Sequence, residues 1–129
     1  MKLLLDTHTA LWLFNEHEKL PGKVKDCLLD EGNTLHISVV SAWEVAIKTS
    51  LGKLSGFNGG VRTFLSAIGQ FPIDLLAVMP RHVELVESLP FLHRDPFDRL
   101  LVAAAITENM TLLTADPHIH KYAVAWMWQ

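Results

Sequence analysis

Four carboxylates in this chain stand where solubility alone does not explain an acid. Asp6 ends the apolar run Leu3-Leu4-Leu5, as when a buried strand delivers an acid to the rim of a parallel sheet. Asp116 follows a second such run, Thr111-Leu112-Leu113-Thr114. Glu44 falls in the first turn of a helix expected from Ser41, and Asp98 in the first turn of a helix opened by Pro96. Unpaired carboxylates at ~4 Å repel by roughly 4 kcal/mol per pair at an effective dielectric near 20. A divalent cation removes that penalty, and oxygen-only ligands favour Mg2+ or Mn2+ over zinc. A cation of that kind, holding a phosphate oxygen, orients and acidifies a water for in-line attack on phosphorus.

The elements that must position these acids read as alternating strands and helices. Strands are expected at 2–5, 35–40, 71–75, 111–114 and 123–128, the third an edge strand because it tolerates Pro72. Helices are expected at 9–15, from Pro21 to the Gly32-Asn33 stop, at 41–51 with Gly52 as terminator, at 61–70, at 80–89 with Val83, Val86 and Leu89 inward, and from Pro96 to Asn109 with Asp95 as cap. The glycine-rich stretch 53–60 is a loop. This alternation predicts an α/β domain with right-handed crossovers and a mostly parallel sheet of about five strands flanked by helices. Ligands of such sheets bind beyond the carboxyl ends of the strands. Asp6 and Asp116 lie directly at that rim, and Glu44 starts near it. The helix of Asp98 precedes a strand, so topology alone is expected to leave its start at the opposite end.

Bulk properties bound the reading. The 129 residues predict one domain, 1–129, with half the residues hydrophobic and 19% charged, a globular composition. The longest apolar run, 100–106, is too short to span a bilayer. The start of the chain has no signal-peptide pattern, and the single cysteine, Cys27, excludes an internal disulfide. A cytoplasmic protein without membrane contact is the expectation. A net charge of −3 lacks the basic footprint of a nucleic-acid binder. Bound cations would reverse the local sign, and Lys48, Lys53, Arg62, Arg94 and Arg99 are expected around the acids. Charge therefore decides nothing.

Each residue also has an ordinary structural reading. Ser41-x-x-Glu44 makes a capping box. Asp98 complements a helix dipole, Asp95 is an N-cap, and Asp116 before Pro117 fits a turn or cap. Asp6 resists such a reading, since an acid ending a buried strand needs a partner. Lys48 and Arg99 each lie about one helical turn from an acid and read first as ion-pair partners, second as phosphate contacts. His93 and Arg94 either touch a phosphate or supply loop polarity. His118-x-His120 is no tetrahedral zinc site. Trp12, Trp43, Trp126 and Trp128 read as core or interface, with one of the last two facing a partner subunit.

Four blocks, in this order and spacing, resemble one family across almost the whole chain. They are Leu5-Asp6-Thr7-His8, Ser41-Ala42-Trp43-Glu44-Val45-Ala46-Ile47-Lys48, His93-Arg94-Asp95-Pro96-Phe97-Asp98-Arg99-Leu100-Leu101 and Leu113-Thr114-Ala115-Asp116. The chain resembles PIN-domain ribonucleases, and within them the VapC-type toxins of toxin–antitoxin pairs. The resemblance implies a PIN-like three-layer fold and a metal-dependent endoribonuclease. Its catalytic, metal-holding acids are Asp6, Glu44, Asp98 and Asp116, supported by Thr7, Thr114 and Asp95. It implies that the helix of Asp98 reaches the site from the side. It further implies Mg2+ or Mn2+ as cofactor, structured RNA such as transfer RNA as substrate, a homodimer, and a cognate antitoxin whose tail enters the active-site groove. His8 departs from the asparagine or serine of many relatives. Asp95 and Asp98 both offer a third acid, and the register of Leu100-Leu101-Val102-Ala103-Ala104-Ala105 favours Asp98. Two other readings stand beside this one. The chain could be a catalytically silent PIN-fold module binding RNA or antitoxin. It could also be a phosphatase with Asp6 as nucleophile, which the His8 in place of a second aspartate opposes.

Overall fold

Three leucines in a row are all buried only in a strand covered on both faces, and β1 (Lys2–Leu5) is that strand. The computed structural model, which describes all of residues 1–129, sets β1 at the centre of a five-stranded sheet. Around it lie α1 (Thr7–Asn15), a 3-10 turn (His17–Lys19), α2 (Gly22–Leu29), β2 (Thr34–Ser38), α3 (Val39–Ser50), α4 (Gly60–Gly69) and β3 (Ile73–Leu76). The chain continues through α5 (Pro80–Ser88), α6 (Pro96–Glu108), β4 (Thr111–Leu113), α7 (Pro117–His120) and β5 (Trp126–Met127). The strand order is β3-β2-β1-β4-β5 and every pairing is parallel.

Alternation along β1 builds two cores. Leu3 and Leu5 pack with Ala10 of α1, Val24 of α2, Val45 of α3 and Phe64 of α4. Leu4 packs on the other face with Leu101, Val102 and Ala105 of α6, and with Ile119 and Tyr122. Helices thus cover both faces in three layers. The sheet ends in short strands: β3 is entered through Pro72 and carries Asp74, and β5 is two residues long, not the expected 123–128. No helix is long and apolar enough to cross a membrane.

Three local expectations change. The second strand stops at Ser38, whose hydroxyl accepts from the Val40 amide (3.0 Å) and caps α3. The β-branched pair Val39-Val40 favours a strand, but the cap ends it. Ser41 is therefore inside the helix and heads no capping box, and Glu44 is in the second turn of α3. In α5 the expected inward Val83 is exposed and His82 is buried instead. His82 Nε2 donates to Glu108 Oε2 (2.8 Å), while its Nδ1 accepts from the Met79 amide (3.1 Å). Arg81 Nε donates to the same Glu108 oxygen (2.7 Å). These bonds, Arg81 first, hold the Glu108 carboxyl down at about 2. They tie the start of α5 to the end of α6 in an antiparallel hairpin.

The third change concerns direction. After α6, Asn109 takes a left-handed turn (φ 59°) and the chain enters β4 almost at once. A helix that hands the chain straight to a parallel strand runs down the sheet against it, so it begins at the carboxyl rim. The start of α6, with Asp98, lies on the side of Asp6 and Asp116, not at the opposite end.

Candidate active site

Asp6 leaves β1 as the N-cap of α1. Its Oδ1 accepts from the Thr9 amide (2.9 Å) and lies 2.7 Å from the Thr9 hydroxyl, which is also 2.8 Å from the Leu113 carbonyl. Its Oδ2 accepts from Thr114 Oγ1 (2.6 Å). Burial pushes the Asp6 carboxyl above the usual carboxylate range, against the hydrogen bonds of Thr114 and Thr9 and the charge of His8. Thr114 Oγ1 also accepts from the Asp116 amide (3.1 Å), so one hydroxyl joins the first acid to the last. Asp116 caps α7, its Oδ1 accepting from the His118 amide (2.8 Å), which is its ordinary structural reading.

Glu44 is buried at 2% exposure. Thr7 Oγ1 donates to its Oε1 (2.7 Å) and is also hydrogen-bonded to Ser41 Oγ (2.8 Å). Lys48, one turn on, makes an ion pair with Oε2. Partial burial pulls the Lys48 ammonium down but is outweighed by the hydrogen bond and charge of Glu44, with Asp95 and Asp98 adding, so its proton is held more tightly than usual. Asp95 is the N-cap of α6, its Oδ1 accepting from the amides of Phe97 (2.9 Å) and Asp98 (3.1 Å).

Asp98 reports on the whole group. Its carboxyl is pushed up to about 8, first by burial and then by the charges of Asp95, Asp116, Asp6 and Glu44. The charges of the other three expected acids, Asp6, Glu44 and Asp116, and of Asp95 thus all bear on Asp98. Asp98 Oδ2 also lies 3.3 Å from His93 Nε2, and His93 Nδ1 lies 2.8 Å from the Tyr122 hydroxyl. His93 is 9% exposed and faces Asp98, not open solvent. Burial, and behind it the charges of His118 and Arg99, lower its pKa against the pull of Asp95 and Asp116.

Arg99 corrects two expectations. It pairs with no acid and is 6% exposed, out of reach of a phosphate. Its guanidinium donates to the carbonyls of Val86 (3.1 Å), Leu89 (3.4 Å) and Pro90 (2.9 Å) and to the Tyr122 hydroxyl (3.1 Å), with Phe91 over its face. It closes the C-terminal end of α5, the second fastening of the α5–α6 hairpin. Arg99→Lys keeps the charge but loses the fork, and should lower stability by about 1–2 kcal/mol in urea titrations. An unchanged midpoint would mean that the fork fastens nothing. Arg94 is exposed, and Arg62 lines a separate recess of α4 with Thr63, Ser66 and Gln70.

Thr9, Ser41 and Tyr122 were not found by sequence reasoning. Thr9 carried a signal, because Asp6-x-x-Thr9 is a hydroxyl one turn after a capping acid. Tyr122 had none.

The donor set suits a hard divalent cation. All the acids present oxygen only, and a carboxyl kept protonated by burial and by like-charged neighbours is one that a cation would ionise. As the side chains stand, no three His, Cys, Asp or Glu groups are gathered tightly enough to form a ready-made metal site. Asp6 is held by threonines and Glu44 by Thr7 and Lys48, and those bonds fix where the acids point.

Fold and site define an α/β domain with several acids at the carboxyl rim of a parallel sheet. A family model for the PIN domain matches residues 3–125, and the chain belongs to that family. Solved structures of similar fold include VapBC2 from Rickettsia felis bound to a DNA fragment from its promoter, at 20% identity and TM-score 0.73 with both chains fully covered. DNA-bound VapBC from Salmonella typhimurium is similar at 14% identity and TM-score 0.69, covering 98% of this chain and 97% of that one. VapBC-1 from nontypeable Haemophilus influenzae has 16% identity and TM-score 0.62, with the same coverage. No curated protein sequence is a significant match to this chain.

Proposed function

We propose that this chain is a divalent-metal-dependent endoribonuclease and the toxin of a toxin–antitoxin pair. The observation that carries the reading is the gathering of acids at the rim, where the Thr114 hydroxyl joins Asp6 to Asp116 and burial with the charges of Asp95, Asp116, Asp6 and Glu44 raises the Asp98 carboxyl to about 8. A protein that only bound phosphates would have no use for such an excess of negative charge. Asp6, Glu44, Asp98 and Asp116 would hold Mg2+ or Mn2+, which when bound neutralises phosphate charge and acidifies a water. Thr7, Thr9 and Thr114 keep the acids oriented, and Asp95 caps the helix that presents Asp98. Lys48 balances Glu44.

A phosphatase reading is disfavoured because His8 stands two residues after Asp6, where that chemistry needs a second aspartate. Family and fold support a reading of the partners. Structured RNA, with transfer RNA the first choice, is the substrate, and a cognate antitoxin is the inhibitor, as the VapBC complexes suggest. Exposed Trp43, edge-on to Phe97, favours a homodimer, and the setting is cytoplasmic.

The test is cleavage of transfer RNA by purified protein. Internal phosphodiester bonds should be cut in Mg2+ or Mn2+, spared in EDTA, and protected when the cognate antitoxin is added. RNA that is bound but intact in saturating Mn2+ would make the chain a binding module. Release of inorganic phosphate from monoesters would make it a phosphatase.

A further inference from the structure

Beside the acids at the sheet's rim, between α1 and the 53–57 segment, lies a recess of about 160 Å³ that the catalytic reading does not use. We propose that this recess is a subsite for one nucleobase of an RNA strand whose neighbouring phosphate lies over the acids. The proposal rests on the nuclease reading and adds a place where the substrate is gripped.

The recess begins where the acids end. Its walls include His8, two residues after Asp6, and Lys48, the ion-pair partner of Glu44. Its other walls include Trp12, Lys53, Leu54 and Phe57. Drug-sized ligands occupy cavities of roughly 300 Å³ and upward, so this one fits a single heterocycle. An indole with two apolar side chains is what a flat base stacks on, and such stacking is how proteins grip unpaired nucleotides. Trp12 is braced for it, with the His8 ring at 6.1 Å and the Trp128 ring at 5.6 Å between centroids.

Charge and shape agree. Lys48 is committed to Glu44, but Lys53 is exposed and pairs with no carboxylate. That leaves Lys53 free for the phosphate that enters with the base. Glu16, the one acid in the wall, is held by Lys19 at 2.9 Å, so its repulsion of a phosphate is muted. The far wall is fixed. Asn15 Nδ2 donates to the Gly56 carbonyl, Gly56 has φ +79°, and a Cβ there would meet Glu16 Oε1 at 3.1 Å. Glycine lets this loop close on α1 without filling the space.

Two measurements test it. In EDTA, uridine and adenosine 5′-monophosphates are titrated into 15N-labelled protein, with the Trp12 indole resonance assigned by its loss in Trp12→Phe. The Trp12 resonance should move while that of Trp43 stays, ribose 5-phosphate should leave both in place, and Lys53→Glu should weaken the effect by about tenfold or more. In the second measurement, an abasic residue is moved along a cleavable oligoribonucleotide. At one position flanking the cut, KM should rise about tenfold with kcat little changed. A Trp12 shift equal with ribose 5-phosphate, or indifference to every abasic position, would overturn the subsite. A Trp12 shift with nucleotides in a protein that cuts no RNA would sink the nuclease reading while leaving the base site standing. RNA cleavage without any Trp12 response would do the reverse.

Discussion

Asp6→Asn is expected to leave a folded protein whose metal-dependent cleavage of RNA falls by about 10³-fold or more, some 4 kcal/mol of transition-state stabilisation. Folding should survive because the variant meets the same surroundings. An asparagine oxygen can still accept from the Thr9 amide, while its NH2 faces Thr114 Oγ1, which already receives the Asp116 amide. The displaced Thr114 proton costs something, and relief from burying a carboxylate that burial itself disfavours offsets it. The paired measurement is thermal unfolding with and without Mg2+. Wild type should gain stability by mass action, about 2.7 kcal/mol at a hundredfold excess over Kd, and the variant should gain little. Full cleavage by carefully purified Asp6→Asn, or an equal Mg2+ gain in both proteins, would remove Asp6 from the metal site.

Asp98→Asn should make the metal-free protein more stable at pH 8 and above, by about 2–3 kcal/mol, while abolishing activity. The sign follows from the proton count. Unfolded, this carboxyl loses its proton near 3.8; folded, it keeps it to about 8. Between those values the folded state holds a proton that the unfolded state has released. Its contribution therefore falls as pH rises from about 4 to about 8 and stays flat beyond. The acids share one excess of charge, so a single substitution relieves only part of it. The informative quantity is the difference between wild type and variant, in which contributions common to both cancel. That difference should be near zero at pH 4 and grow towards pH 8, and Mg2+ should close it by stabilising the ionised wild type. A difference that stays flat from pH 4 to pH 8 would mean that the neighbouring acids do not bear on Asp98. Stability given up at a functional site is a familiar trade.

Much of this arrangement was legible in the chain itself. Runs such as Leu3-Leu4-Leu5 and Thr111-Leu112-Leu113 announce buried parallel strands, and strands of that kind put Asp6 and Asp116 at one rim. Asp95 as a cap and Lys48 as a partner for Glu44 follow from helical spacing alone. Local competition hid the start of α3, where two valines argue for a strand and one serine hydroxyl decides for a helix. The rim position of Asp98 also follows from topology, because α6 runs against β4 and so starts at the carboxyl rim. Arg99 and Tyr122 are different. They meet across the fold, and the four bonds around that guanidinium follow no period in the sequence. His82 was hidden for the same reason, because its burial depends on Glu108 in another helix.

One feature of the sheet bears on how this protein behaves when crowded. A parallel sheet invites further strands at its margins, and an open margin is a template for fibrils. Here one margin is entered through a proline and carries an aspartate, and the other offers only a two-residue ladder. Both margins are thereby blunted as templates for an added strand.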